Sequence, residues 1–183
     1  VAVAVPVGLL IGMSRLFRSL SDFPLDFFRS LPVTALFPLF LLLFGIGDAS
    51  KIAMVFAAVF PIMAINSSYG VLHSSKKRIL MAKSFGAAKS FIFSRIIFWE
   101  SLPHIFVGMR LSLSLSLIVV IISEMFIGTR FGLGQRLFDA YSLNMAKELY
   151  AILILAGIFG YLLNKMFVLL ETRVLVWKGT RNR

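Results

Sequence analysis

Three ionisable residues lie inside long apolar stretches of the sequence and are the first candidates for chemistry: Arg110, Glu124 and Lys165. A charged side chain in an apolar stretch of membrane length is costly, so such a residue is a functional candidate by default. Arg110 and Lys165 each lie near one end of a stretch, from which a long side chain can instead reach water. For Glu124 two interpretations stay open: a position beside a pathway through the membrane, or packing against the loop that follows it.

The residue types that most enzymes use are sparse or badly spaced. His73 and His104 lie far apart in the sequence, and there is no cysteine. No pair of carboxylates stands at the spacing of a hydrolase or a proton relay, and no Gly-x-x-x-x-Gly-Lys-Ser/Thr phosphate-binding loop occurs. Gly132-Leu133-Gly134 lacks the rest of a dinucleotide fingerprint and is interpreted as a turn. The sequence therefore predicts neither catalysis nor a metal site in this chain.

The basic segment 72–101 is organised and is not low in complexity. Its apolar residues recur in two sets: Ile79, Met81, Ala82 and Phe85, then Phe91, Phe93, Ile96 and Ile97. Because Gly86 separates the sets, the pattern predicts two short amphipathic helices hinged at this glycine. Such helices fit either an interfacial element on a membrane surface or an element that docks into a groove of a soluble partner.

These candidates must be positioned by elements that cross a membrane, because the composition fits no other class. Of 183 residues, 59% are hydrophobic and 15% are charged, and the mean hydropathy is +0.93. An average globular chain has about 45–50% apolar residues and about 25% charged residues. Disordered chains are poor in aromatic and aliphatic residues, whereas this one contains 19 phenylalanines. An integral membrane protein is therefore expected.

The apolar stretches predict an all-α bundle of about five membrane spans. A helix needs about 20 residues to cross a hydrocarbon layer of about 30 Å. The predicted spans are 1–13, 31–47, 52–69, 104–125 and 149–170. Since the chain begins in an apolar run without Met, the first span is expected to be the end of a span in a longer protein. The alternating Leu and Ser of 111–117 are assigned to a helix, because an isolated strand in lipid would leave its backbone unpaired.

The net charge of +11 is typical either of a nucleic-acid-binding protein or of a membrane protein with cationic cytoplasmic loops. The cations cluster between the apolar stretches, which favours the second interpretation. Thirteen Lys and Arg residues fall in 14–30, 71–100 and the tail from Thr172, against four in 48–51 and 126–148. This bias predicts a cytoplasmic location for the loop 72–101 and for the C-terminus. No nucleic-acid partner is expected.

Several short motifs follow one another in a fixed order. They are Leu31-Pro32, Leu36-Phe37-Pro38-Leu39-Phe40, Phe44-Gly45-Ile46-Gly47, Leu102-Pro103, Gly108-Met109-Arg110-Leu111, Ser123-Glu124-Met125 and Gly132-Leu133-Gly134. Between them lies a partial match to a longer motif: Glu-Ala-Ala, three residues, Gly, nine residues, Ile, one residue, Leu-Pro. When its Gly is aligned with Gly86, its second Ala falls on Ala82 and its Ile falls on Ile96. From about Gly8 to Gly179, the chain thus resembles binding-protein-dependent ABC transporter permeases, in the branch that carries nitrate, sulfonate, taurine and bicarbonate.

The resemblance implies a single permease domain over 1–183, truncated at its N-terminus, in the bacterial inner membrane. Two separate ATPase subunits, which bind ATP and Mg, would dock on a row of loop residues: Leu80, Met81, Ala82, Lys83, Ser84, Phe85, Gly86 and Ala87. A second permease copy would complete the substrate pathway, and an extracytoplasmic binding protein would deliver a small anion. Arg110 and Glu124 are the candidates for a pathway or structural role.

The loop departs from the family signature, and this keeps alternatives open. Leu80 and Met81 replace its Glu and first Ala, and Phe98-Trp99 replaces its Leu-Pro, although Leu102-Pro103 follows. A degenerate permease that pairs with a more regular one is one alternative. A passive channel or a membrane scaffold is another, but a channel has no need for a glycine-hinged pair of helices. A minor role of the loop in binding anionic lipid is also expected, because it contains the basic residues Lys76, Lys77 and Arg78.

Overall fold

The computed structural model describes residues 1–127 and 131–175. Its helices are α1 (Ala4–Met13), α2 (Arg15–Ser30), α3 (Phe37–Phe44), α4 (Asp48–Leu72), α5 (Lys76–Ser84), α6 (Lys89–Ile92), α7 (Phe98–Ile127), α8 (Leu133–Ser142) and α9 (Ala146–Val174). A 3-10 turn (Val33–Leu36) precedes α3, and a π-helical turn (Phe93–Ile97) joins α6 to α7. These described residues contain no strand, so the predicted all-α fold is confirmed, including the helix over 111–117.

Helices α4 and α7 pack against each other and form the centre of the protein. A Cβ added to Gly70 of α4 would lie 2.8 Å from the Ser101 Cβ, and one added to Gly108 of α7 would lie 2.8 Å from the Asn66 Cβ. The glycine at each of these two contacts therefore lets the backbones of α4 and α7 approach closely, which is a common way for helices to pack in lipid. The side chain of Met63 packs beside Gly108, with its Sδ 3.3 Å from the position of an added Cβ, and is completely buried.

Helix α1 packs on the other side of α4 through two glycines one turn apart. A Cβ on Gly8 would lie 2.7 Å from the Ser67 Cβ, and one on Gly12 would lie 2.6 Å from the Val71 Cβ. No side chain fits at either position without moving α1 away from α4. The spacing of the two glycines is the small-xxx-small pattern that lets membrane helices approach closely.

Three of the described helices are long and apolar enough to cross a membrane: α4, the continuous helix Lys89–Ile127 and α9. A fourth span results only if α2 and the segment Val33–Phe44 count as one, although they are bent by 82°. The predicted number of five spans is therefore not confirmed. The first predicted span is only the ten-residue α1, and the second ends early at Gly45, whose φ of +74° stops α3.

The structure also shows two amphipathic helices, α2 and α8, where the sequence analysis placed loops. The Ser14 hydroxyl caps α2 by accepting a hydrogen bond from the Phe17 N–H at 3.5 Å. Leu16, Leu20, Phe23 and Phe27 recur at helical spacing and are exposed, so the helical period was present in the sequence. The loop interpretation was wrong because it relied on the number of charges in 14–30 and did not consider the helical spacing of the apolar residues between them.

Helix α9 lies at the edge of the bundle, where it contacts α7 and α8. None of its most apolar 18-residue window is buried, so this surface is left for lipid or another chain. Four cations that entered the charge count lie outside the described residues: Arg130, Lys178, Arg181 and Arg183. The cytoplasmic location of the C-terminus stays a prediction.

Candidate functional site

Helix α5 carries most of the candidate loop residues and holds its largest apolar side chains away from the bundle. Leu80 is 62% exposed, Met81 63% and Phe85 86%. Lys83 and Ser84 are exposed as well. Burying one large apolar side chain contributes about 1.5–3 kcal/mol. Removal of the side chains of Leu80, Met81 and Phe85 from water, by lipid or by a partner, is therefore favourable.

Gly86 ends helix α5 in a conformation that few other residues adopt. Its φ is +73°, in the left-handed region where L-residues with a Cβ are strained. The Gly86 N–H donates to the Lys83 carbonyl at 2.9 Å, and the Ala87 N–H donates to the Ala82 carbonyl at 3.0 Å. These two bonds form a Schellman motif, which satisfies carbonyls that would otherwise lack partners at the helix end. The predicted break at Gly86 is confirmed.

The second short helix predicted after Gly86 has a different form. Helix α6 does not end as a separate element, because the π-helical turn Phe93–Ile97 carries the chain directly into α7. Lys89–Ile127 is thus one helix of 39 residues. The prediction of two separate short helices was wrong for this half, since no residue between Lys89 and Phe98 breaks the helical backbone. Only Ala87 and Ala88 separate the turn at Gly86 from the start of this long helix.

Glu100, in the first turn of α7, connects this span to α5, and the sequence analysis missed it. Its Oε2 accepts a hydrogen bond from the backbone N–H of Ser75, which precedes α5. Its Oε1 lies 2.8 Å from Nε of Arg78. A signal was available, because Glu100 is the only acidic residue of a segment, 72–101, that contains six cations.

Glu124, near the other end of α7, contacts the loop that follows that helix. Its Oε2 accepts a hydrogen bond from the Gly134 N–H at 3.0 Å, in the first turn of α8. A Cβ on Gly132 would lie 2.5 Å from the Glu124 carboxylate, and one on Gly134 would lie 2.7 Å from the Glu124 Cβ. This geometry corresponds to the second interpretation of Glu124, packing against the following loop. Its role in a pathway stays a prediction.

The two basic candidates within spans make few contacts. Arg110 is half-buried in α7, and its guanidinium forms no ion pair or hydrogen bond within residues 1–127 and 131–175. Lys165 is exposed on α9, with its Nζ 6.0 Å from the centre of the Tyr161 ring. This arrangement is compatible with side chains that extend toward the membrane surface. A pathway role for Arg110 stays a prediction.

An apolar cavity of about 380 Å³ lies between α1, α4, α7 and α9. Ser112 and Ser116, one turn apart on α7, both line it. The Ser116 hydroxyl donates to the Leu113 carbonyl at 2.8 Å. The Ser112 hydroxyl is buried and has no hydrogen-bond partner among the described residues. The Ser112 hydroxyl thus lies unpaired beside a cavity with largely apolar walls.

The histidines are closer in space than in sequence. Antiparallel packing of α4 and α7 stacks the rings of His73 and His104 with their centres 5.5 Å apart. Nδ1 of His73 also lies 2.9 Å from the Tyr69 carbonyl oxygen. Across the part of the chain that the structure describes, no three His, Cys, Asp or Glu side chains form a group that could hold a metal ion.

A family model described as binding-protein-dependent transport system inner membrane component matches residues 4–175. A probable ABC transporter permease protein of Brucella abortus is 32% identical over 178 residues, which cover 97% of this chain and 71% of that protein. The taurine transport system permease protein TauC of Escherichia coli is 30% identical over 175 residues, which cover 96% of this chain and 63% of TauC. Other relatives are named as permeases for nitrate, aliphatic sulfonates and bicarbonate.

The fold also matches a solved transporter structure. A chain in an inward-facing structure of the MetNI methionine ABC transporter superposes with a TM-score of 0.77. The match covers 94% of this chain and 86% of that one, at 21% sequence identity. At this identity the similarity concerns the helical architecture alone.

Proposed function

Because the chain belongs to the family of binding-protein-dependent transport system inner membrane components, we propose that it forms the substrate pathway of an ABC importer and is driven through the loop 72–101. Members of this family are membrane components of transporters and are not themselves enzymes. In this proposal, separate ATPase subunits bind ATP and Mg and dock on residues 80–87. A second permease copy, identical or different, and an extracytoplasmic binding protein complete the transporter.

The exposed apolar row on α5 is the observation that carries the proposal. Leu80 and Met81 project from a nine-residue helix between two candidate membrane spans, and Phe85 projects from the residue that follows it, next to the glycine turn. A short helix that presents exposed apolar side chains in this way is suited to a hydrophobic groove on a partner. Only Ala87 and Ala88 separate this turn from the continuous helix Lys89–Ile127. A force on α5 would therefore be transmitted to a membrane span.

A small anion is the proposed substrate class. The names of relatives at about 30% identity support it, since they include permeases for taurine, nitrate, aliphatic sulfonates and bicarbonate. We place the protein in the bacterial inner membrane, with the loop 72–101 and the C-terminus in the cytoplasm. The excess of cations in this loop supports that orientation, because cytoplasmic loops accumulate Lys and Arg.

Co-purification tests the docking proposal directly. The tagged protein is expressed in its own host, extracted in mild detergent and analysed by mass spectrometry. We expect an ATPase with its own phosphate-binding loop to co-purify. Leu80→Arg should lose it, because a charge on the docking surface would have to be desolvated in the partner's groove.

Ser94→Arg is the matched control, since it adds the same cation at an exposed position outside residues 80–87. This variant should retain the ATPase. If the wild-type protein binds no ATPase while folded, the importer proposal is wrong and a channel or scaffold is favoured. If Leu80→Arg retains the ATPase, docking does not use this surface. A second, different permease in the complex would identify a heterodimer.

A further inference from the structure

The start of helix α5 is completed by a residue from another helix. The Ser75 hydroxyl accepts a hydrogen bond from the Arg78 N–H at 3.4 Å, and the Ser75 backbone N–H donates to Glu100. In a capping box, a glutamate three residues into the same helix makes that second bond. Here the glutamate is in the first turn of α7. The cap of α5 is therefore also a contact between α5 and a membrane span.

Helix α5 needs such support because it is short. It has nine residues, whereas isolated helices shorter than about 12–15 residues are marginal in water. None of its residues is buried, so it gains little stability from packing on the bundle. The Schellman turn at Gly86 holds its end, and Glu100 holds its beginning.

Charge contributes a second part of this contact. The side chain of Glu100 is 14% exposed, and that of Arg78 is 60% exposed. Although Nε of Arg78 lies 2.8 Å from Oε1 of Glu100, that oxygen accepts no aligned hydrogen bond within the described residues. The attraction between the two side chains is thus mainly an ion pair. A carboxylate that loses its cation in a mostly buried position is unfavourable, so the pair favours a position of α5 close to α7.

We infer that Glu100 is a positioning residue that fixes α5 to the first turn of α7, so that the two helices move as one body. Its Oε2 holds the Ser75 N–H, and its charge holds Arg78. When a partner moves α5, this clamp and the turn at Gly86 together pass the displacement to α7. The clamp is a property of the permease chain alone. Its use in transport rests on the proposed function.

Distance measurements between two spin labels test the clamp in the full-length protein. Residues 1–183 contain no cysteine, so Lys76→Cys on α5 and Ser114→Cys on α7 introduce one pair of labels into this part of each chain. Ser114 lies about 21 Å along an ideal helix from Glu100, and both label positions are exposed. In lipid nanodiscs, the otherwise unchanged protein should give one narrow distance distribution.

Glu100→Gln separates charge from hydrogen bonding, because its amide oxygen still accepts the Ser75 N–H. We expect this variant and Arg78→Gln to broaden the distribution. The double variant should broaden it no further than either single one, since both remove the same interaction. Lys77→Gln removes an equal charge from an exposed position of α5 and should leave the distribution narrow.

Narrow, unshifted distributions in both Glu100→Gln and Arg78→Gln would overturn the inference. Arg78 is largely exposed, so its variant is informative even if Glu100→Gln folds poorly. Co-purification separates the clamp from the docking proposal, because Glu100→Gln leaves Leu80, Met81 and Phe85 unchanged and should retain the ATPase. In that complex, we expect ATP hydrolysis to continue while its coupling to taurine or nitrate uptake falls by about tenfold. If wild type binds no ATPase, the proposed function fails while the distance result still decides on the clamp.

Discussion

The two ends of helix α7 are attached to their neighbours by the same kind of bond. Near its beginning, Glu100 accepts the backbone N–H of Ser75, and near its end Glu124 accepts that of Gly134. Each carboxylate thus contacts the start of a short helix, α5 or α8, where free N–H groups and the helix dipole favour negative charge. The two glutamates are about 36 Å apart along an ideal helix. One membrane helix therefore connects both short helices.

The surroundings of these two bonds differ, and the difference indicates how each attachment can be weakened. Glu100 has an exposed cation, Arg78, as its partner. Around Glu124, Gly132 and Gly134 leave no space for a Cβ. The first attachment is electrostatic and can be weakened without a steric conflict. The second depends on shape, so α8 cannot shift along α7 without atomic overlap. We therefore call the α5 end adjustable, because the substitution of one charge weakens its attachment, and the α8 end rigid, because close packing holds it.

Gly86→Pro should have the largest effect, at the adjustable end. Proline fixes φ at about −65°, whereas Gly86 has a φ of +73°. Proline also lacks the backbone N–H that Gly86 donates to the Lys83 carbonyl. We expect transport to be abolished while the protein stays in the membrane. The measurement is uptake of labelled taurine, nitrate, sulfonate and bicarbonate by cells that contain the complete transporter. Gly86→Asn, which tolerates positive φ, should retain uptake. Normal uptake by Gly86→Pro would refute the docking model.

Gly134→Val tests the rigid end and should be the most damaging change to folding there. The new side chain would overlap the Ile121 carbonyl and the Glu124 side chain, and overpacking costs about 1–3 kcal/mol. Thermal unfolding in detergent measures the loss. Gly157→Ala is the control, because no atom lies within 4 Å of its added Cβ. Equal unfolding temperatures for the two variants would show that close packing at Gly134 is unimportant.

Glu124→Gln should have the smallest effect. The amide oxygen of Gln still accepts the Gly134 N–H, and only the charge near the start of α8 is lost, which is worth about 0.3–1 kcal/mol. The unfolding temperature should fall slightly, and the distance between labels on α5 and α7 should not change. Broadening of that distance, as expected for Glu100→Gln, would show that the two ends of α7 are not independent.

The positions of the long helices could be read from the sequence. The predicted spans 52–69, 104–125 and 149–170 lie within α4, α7 and α9, and each helix extends a few residues beyond its prediction. Long apolar runs are local features, and in lipid a helix is the way for such a run to satisfy its own backbone. The break at Gly86 was predicted for the same reason, since glycine is the residue that adopts positive φ without strain.

The candidate site was predicted only in part. The exposed residues of α5 lie in the predicted segment, but the clamp at Glu100 was missed. Glu100 is separated from Ser75 and Arg78 by the turn at Gly86 and by α6. Whether they meet depends on how tightly α4 and α7 pack, which is decided by close contacts at Gly70 and Gly108. The pattern of residues along one segment contains no information on the distance between α4 and α7.

The sequence by itself determined the membrane class, the long helices, the glycine turn and the family. These follow from composition, hydrophobic period and motif spacing, which act over one helix or less. The tertiary structure decided that His73 stacks on His104, and that Glu100 and Glu124 hold α5 and α8. Each of these contacts joins residues from different helices, so it exists only once the helices have packed at a fixed distance and angle.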